Sequence, residues 1–117
     1  MSSPPGARWL AALLLTPALA LAQSTKPASF PIKPGRVVVG YPAGGPSDIL
    51  ARIVAQKLSE GTGQQFIVDN RPGASGMIGA DLVAKAPPDG YTLLVVPATH
   101  AVNPSLYAKV PYDTLRD

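Results

Sequence analysis

Residues 36–58 read RVVVGYPAGGPSDILARIVAQKL, and within them the apolar residues change from a continuous run to a spaced one. Arg36 to Gly40 holds three adjacent valines. A β-branched run without alternation suits a strand buried on both faces of a parallel sheet. Beyond the Gly44-Gly45 pair, Ile49, Leu50, Ile53, Val54 and Leu58 fall on one stripe at three- and four-residue spacing. That spacing predicts an amphipathic helix, opened by Ser47 or Asp48 as N-cap and closed by Gly61 and Gly63. A strand joined to a helix through a glycine-rich turn is the first unit of an α/β fold.

The following residues repeat the unit. Gln65 to Val68, QFIV, predicts a short second strand, and residues 69–76, DNRPGASG, a loop behind it. From Gly76 to Lys85 the apolar positions Ile78, Leu82 and Val83 predict a second helix, ended by Pro87-Pro88-Asp89-Gly90. Tyr91 to Val96, YTLLVV, predicts a third buried strand. Alternation with crossovers of this length favours a parallel sheet with right-handed connections. Three loops then open at strand carboxyl ends: YPAGGPSD, DNRPGASG and PATHAVNP. In open α/β sheets that edge is where ligands bind.

Two of these loops run into predicted helix starts, and both set glycine beside a hydroxyl: Gly44-Gly45 with Ser47, and Gly73 with Ser75-Gly76. A helix start carries unpaired N–H groups and a partial positive charge, so it attracts a carboxylate or phosphate. Ser47 and Ser75 either cap the helices or bind such an anion, and their matching positions favour the anion. Gly45 and Gly76 are expected to let backbone N–H groups approach it, and a valine at Gly45 is expected both to block the site and to strain a loop needing positive φ. Asp48 reads as a loop-shaping and capping group rather than a direct anion contact.

Other chemistries find less support. Gly73, Gly76 and Gly79 have G-x-x-G-x-x-G spacing, but a dinucleotide fingerprint starts directly at a strand end as G-x-G-x-x-G, and residues 69–72 intervene here. No G-x-S-x-G elbow exists, because Met77 stands where its last glycine belongs. His100 is the sole histidine and the chain has no cysteine. No catalytic residue, metal ligand or cofactor is assigned, and the protein is not expected to be an enzyme.

Residues 1–22 read as a cleavable secretory signal: Arg8 precedes an apolar run, and Ala20-Leu21-Ala22 offers a small-x-small cleavage site before Gln23. Pro17 interrupts a run already too short for a membrane span. Removing this segment leaves nine Lys and Arg against seven Asp and Glu, a balance that points away from nucleic acid. Export without cysteine excludes a disulfide frame and predicts a periplasmic protein. Residues 23–35, QSTKPASFPIKPG, read as an extended linker, and residues 36–117 as an α/β ligand-binding domain.

P-x-G-G-x-[ST]-D, N-R-P-G-A-x-G-x-x-G, P-D-G-Y-T-L and N-P-x-L-Y follow one another from Pro42 to Tyr107. In combination they resemble the amino-terminal third of the periplasmic binding proteins of tripartite tricarboxylate transporters, the Bug receptors. The resemblance runs from about Arg36 to Asp117. It implies half of a Venus-flytrap fold, incomplete because family members continue into a second domain. It also implies capture of a small organic carboxylate and delivery to membrane permease subunits. Carried over by position, Tyr41, Gly44, Gly45, Ser47 and Asp48 belong to a first binding loop, Ala74, Ser75 and Gly76 to a second, and Thr99, His100 and Asn103 to a third. The second loop often has glycine where this chain has Ser75. The alternatives are a small exported Rossmann-like nucleotide-binding enzyme, or a truncated chain without folded function. The segment alone is expected to be marginally stable, with an unpaired edge and uncovered apolar faces of RVVVG and YTLLVV type.

Overall fold

The computed structural model of the protein describes residues 29–117; the predicted signal segment lies outside them. Three parallel strands form one sheet in the order β2-β1-β3: β1 is Gly35–Val39, β2 Phe66–Asn70 and β3 Thr92–Val95. The valine run is the central strand, and Val37, Val38 and Val39 are all fully buried. The expected exposure of RVVVG therefore does not occur, because a central strand is flanked on both sides and covered on both faces. β2 and β3 are the edges, and Leu93 on β3 is partly exposed.

Helix α1, Pro46–Thr62, packs on the face carrying Val37 and Val39, and α2, Met77–Ala84, packs against β1 and β3. The α1 contact differs from the expectation. Ala51 and Ala55 meet the sheet with Leu58 partly buried beside them, whereas Ile49, Leu50 and Ile53 are each 55% exposed. Small side chains let the helix axis come close to the valines, so the stripe of larger apolar residues is turned outward. The helix ends as expected at Gly63, whose φ of 73° is left-handed and whose N–H reaches the Ser59 carbonyl. Gly61 lies inside the helix.

On the other face, α2 approaches β1 with almost no intervening side chain. A Cβ on Gly79 would stand 2.9 Å from the Gly40 Cα, and one on Gly40 would stand 2.8 Å from the Gly76 Cα. The spaced glycines thus serve close backbone packing, which accounts for their pattern without a nucleotide.

Of residues 23–35, expected as an extended linker, those described before β1 dock on the fold. The Ile32 N–H donates to the Tyr91 hydroxyl at 2.7 Å, the Phe30 and Tyr91 rings lie 4.9 Å apart, and Lys33 sits over Tyr91 while pairing with Asp89 at 3.2 Å. The large amphipathic ring of Tyr91 is what docks it.

Candidate functional site

The carboxyl ends of the three strands carry all the residues singled out in the sequence. Because β1 connects to β2 on one side and the chain then passes over to β3 on the other, the order reverses between β1 and β3. That switch point is where an open α/β sheet leaves a crevice. Here the crevice is an open cleft of about 460 Å³ lined by Tyr41, Pro46 and Ser47 after β1, Ser75 after β2, and Pro97, Thr99, Asn103, Leu106 and Tyr107 after β3.

The first loop is shaped from below by Asp48. Gly45 is the N-cap of α1 and Pro46 opens it, so neither Ser47 nor Asp48 caps as expected. Proline fits there because its missing N–H has no intrahelical partner to lose. Asp48, in the first turn and 2% exposed, instead accepts the Gly44 N–H at 2.8 Å, the Arg52 Nε at 2.9 Å and the Asn70 Nδ2 at 2.9 Å. These donors hold its carboxyl at about 2, below the ordinary 3.8, with the Arg52 hydrogen bond the largest cause, then the Gly44 N–H, then Asn70. Asn70 also donates to the Tyr41 carbonyl at 3.1 Å, so one buried carboxylate ties both ends of the loop to β2. The glycine that needs left-handed backbone is Gly44, with φ 88°; Gly45 has φ −79°, and a Cβ there meets only the Pro42 carbonyl at 3.6 Å. The expected strain of a valine at Gly45 is corrected accordingly.

The second loop is a left-handed run: φ is 127° at Gly73, 47° at Ala74, 54° at Ser75 and 83° at Gly76. Two of these four are not glycine, and each such residue costs about 1–2 kcal/mol of backbone strain. Side chains from the other two loops hold the run in place. The Ser75 carbonyl accepts the Tyr41 hydroxyl at 3.2 Å and the Asn103 Nδ2 at 3.3 Å, and Asn103 is 1% exposed. At Gly76 a Cβ would press on the Tyr41 ring at 3.0 Å.

The third loop, a 3-10 turn over Ala98–Val102 followed by the short helix α3 at Asn103–Leu106, supplies Thr99, whose hydroxyl lies 3.3 Å from that of Tyr41. Of the residues proposed from the sequence, Tyr41, Ser47, Ser75, Thr99 and Asn103 line the cleft. Gly44, Gly45, Asp48, Ala74 and Gly76 build its loops from behind. His100 is not brought into the cleft. Its ring stacks on Tyr112 with centroids 5.2 Å apart, beside a separate cavity of about 120 Å³ bordered by Leu94 and Asp113.

Pro46, Pro97, Leu106 and Tyr107 also line the cleft and were not singled out. Tyr107 closes the N-P-x-L-Y motif, the one signal that pointed to it. Its hydroxyl meets that of Ser75 at 2.6 Å, across 32 residues of sequence. Among the described residues no lysine or arginine lines the cleft. Among the described residues no cluster of three metal-ligating side chains occurs.

Comparison with known proteins adds a relationship. The family model described as the tripartite tricarboxylate transporter family receptor matches residues 50–117. A protein from Pseudomonas sp. (strain P51), described as "UPF0065 protein in tcbD-tcbE intergenic region", is 44% identical over 94% of this chain. Protein BugT of Bordetella pertussis is 42% identical over 76% of it. The chain spans 33% and 28% of these relatives' lengths, respectively. Among solved structures, an R. palustris protein with adipate superposes with a TM-score of 0.71 at 45% identity, covering 75% of this chain and 30% of that one. MatC from Rhodopseudomonas palustris with bound malate gives 0.67 at 38% identity, covering 71% and 29%.

Proposed function

Since this chain belongs to the tripartite tricarboxylate transporter receptor family, we propose that its cleft is one wall of a periplasmic receptor site for a small organic carboxylate. The observation that carries this reading is the neutral cleft at the strand switch point, where hydroxyl groups and the first turn of α1 converge. The Ser47 and Asp48 N–H groups precede the first intrahelical bond, which runs from Ile49 to Gly45. They are therefore free to donate to an anion. Ser47 adds a hydroxyl donor at the same opening. Such a site binds and releases without catalysis. Adipate in one structural relative and malate in another are ligands of this chemical class.

Family membership supports export to the periplasm through residues 1–22 and delivery of the ligand to membrane permease subunits. A dinucleotide reading has no comparable support, because Gly76 and Gly79 are occupied in packing against Gly40.

Titration calorimetry of the full-length protein with adipate, malate and adenine nucleotides tests the reading. A carboxylate is expected to bind and nucleotides are not. Ser47→Ala is expected to weaken binding about 10-fold, the loss of one hydrogen bond to a charged group. Nucleotide binding with no carboxylate binding would refute the assignment. Mass spectrometry of periplasmic material is expected to find the chain beginning near Gln23.

A further inference from the structure

The cleft contains two pairs of facing hydroxyls, and counting their protons separates them. The Tyr41 hydroxyl lies 3.2 Å from the Ser75 carbonyl, which can only accept, and 3.3 Å from the Thr99 hydroxyl. If Tyr41 donates to the carbonyl and Thr99 donates to Tyr41, both hydrogens are used within the protein. The Ser75 and Tyr107 hydroxyls, 2.6 Å apart, have only each other as protein partners among the described residues. Two hydroxyls joined by one hydrogen bond always leave one O–H hydrogen unused. Both residues line the cleft, so that hydrogen is available to whatever occupies it.

Ser75 is also positioned at a cost. It holds φ 54° and ψ 37°, a left-handed conformation that glycine would adopt without strain. The Tyr41 and Asn103 hydrogen bonds to its carbonyl fix that backbone, and thereby fix where its Oγ stands relative to Tyr107. Tyr107 directly follows α3, whose Asn103 makes one of those bonds, so both hydroxyls are set by one connected group of residues.

We infer that the Ser75–Tyr107 pair is a specificity-determining contact, selecting carboxylates that carry an uncharged oxygen, hydroxyl or keto, over the same acids without it. This rests on the carboxylate reading of the cleft. The pair carries no charge, and its spare hydrogen suits an oxygen acceptor. An unsubstituted methylene chain covering the pair would remove water from that hydrogen and offer no acceptor in return. Sites built to hydrogen-bond a substrate oxygen reject the analogue lacking it for this reason.

The test is titration calorimetry on the full-length protein with two matched pairs, malate against succinate and 2-oxoglutarate against glutarate, together with adipate. The parent is expected to favour the oxygenated member of a pair by about 10-fold. Ser75→Ala and Tyr107→Phe each leave one O–H hydrogen in place and are expected to keep part of that preference, whereas the double variant, with neither hydroxyl, is expected to reduce the ratio to about 2-fold. Ser75→Gly combined with Tyr107→Phe, with a residue at 75 whose backbone suits this conformation, provides a folded variant lacking both hydroxyls should the alanine double variant melt early. A parent without preference for the oxygenated acids, or an unchanged ratio in a folded double variant, overturns the inference while leaving the carboxylate reading intact. Failure to bind any of the five acids overturns both.

Discussion

Asp48 is the residue on which the first loop depends, and its ionisation makes that dependence measurable. Its folded-state pKa of about 2 lies below the ordinary 3.8. A depressed carboxyl stabilises the fold fully above the unfolded value, and that contribution disappears as pH falls through the folded one. Urea unfolding midpoints of the parent are therefore expected to drop between about pH 4 and pH 2, and less so in Asp48→Asn, which has no charge to lose. An equal drop in both would mean that other carboxyls govern the acid transition. The neighbouring glycines give a second test. Gly44→Ala forces a side chain into φ 88° and is expected to cost about 1–2 kcal/mol. Gly45→Ala, at φ −79°, is expected to stay within about 0.5 kcal/mol. Denaturant titrations of the two variants compare them directly, and a reversed order would contradict the loop geometry.

At the scale of elements, strand and helix existence was legible because periodicity is a local property. RVVVG could only be a doubly buried strand, and it became the central one. The face that α1 presents to the sheet was misread, since the largest apolar residues attract attention while contact distance is decided by alanines 51 and 55. The N-cap was misread for a related reason: proline at position 46 moved the helix start upstream of the serine, and Asp48 found its partners in Gly44, Arg52 and Asn70 instead. The cleft's backbone loops were readable from strand-end glycines. The partnership of Ser75 with Tyr107 was not, because it depends on how two loops 32 residues apart meet. Close approach of α2 to β1 yields a prediction of its own. Gly79→Ala places a methyl 2.9 Å from the Gly40 Cα, where backbone and not a flexible side chain must yield. A loss of about 1–3 kcal/mol is expected in urea titration, and an unchanged midpoint would show that α2 can shift away from the sheet freely.

At the scale of the whole molecule, the sheet has two edges unpaired among the described residues and α1 turns Ile49, Leu50 and Ile53 outward. Exposed strand edges and contiguous apolar surface promote association. A polypeptide of residues 29–117 prepared alone is expected to self-associate with rising concentration and to melt over a broad range; a monomer with a sharp transition, seen by light scattering and calorimetry, would contradict this. The docking of Phe30–Lys33 on Tyr91 bears on how the molecule is oriented. That contact lies where β1 and β3 begin, whereas the cleft opens where they end, roughly 15 Å further along strands of this length. An attachment made at residues 30–33, to a sensor chip or to a fused partner, therefore sits at the end of the sheet opposite the mouth and keeps the opening accessible to ligand.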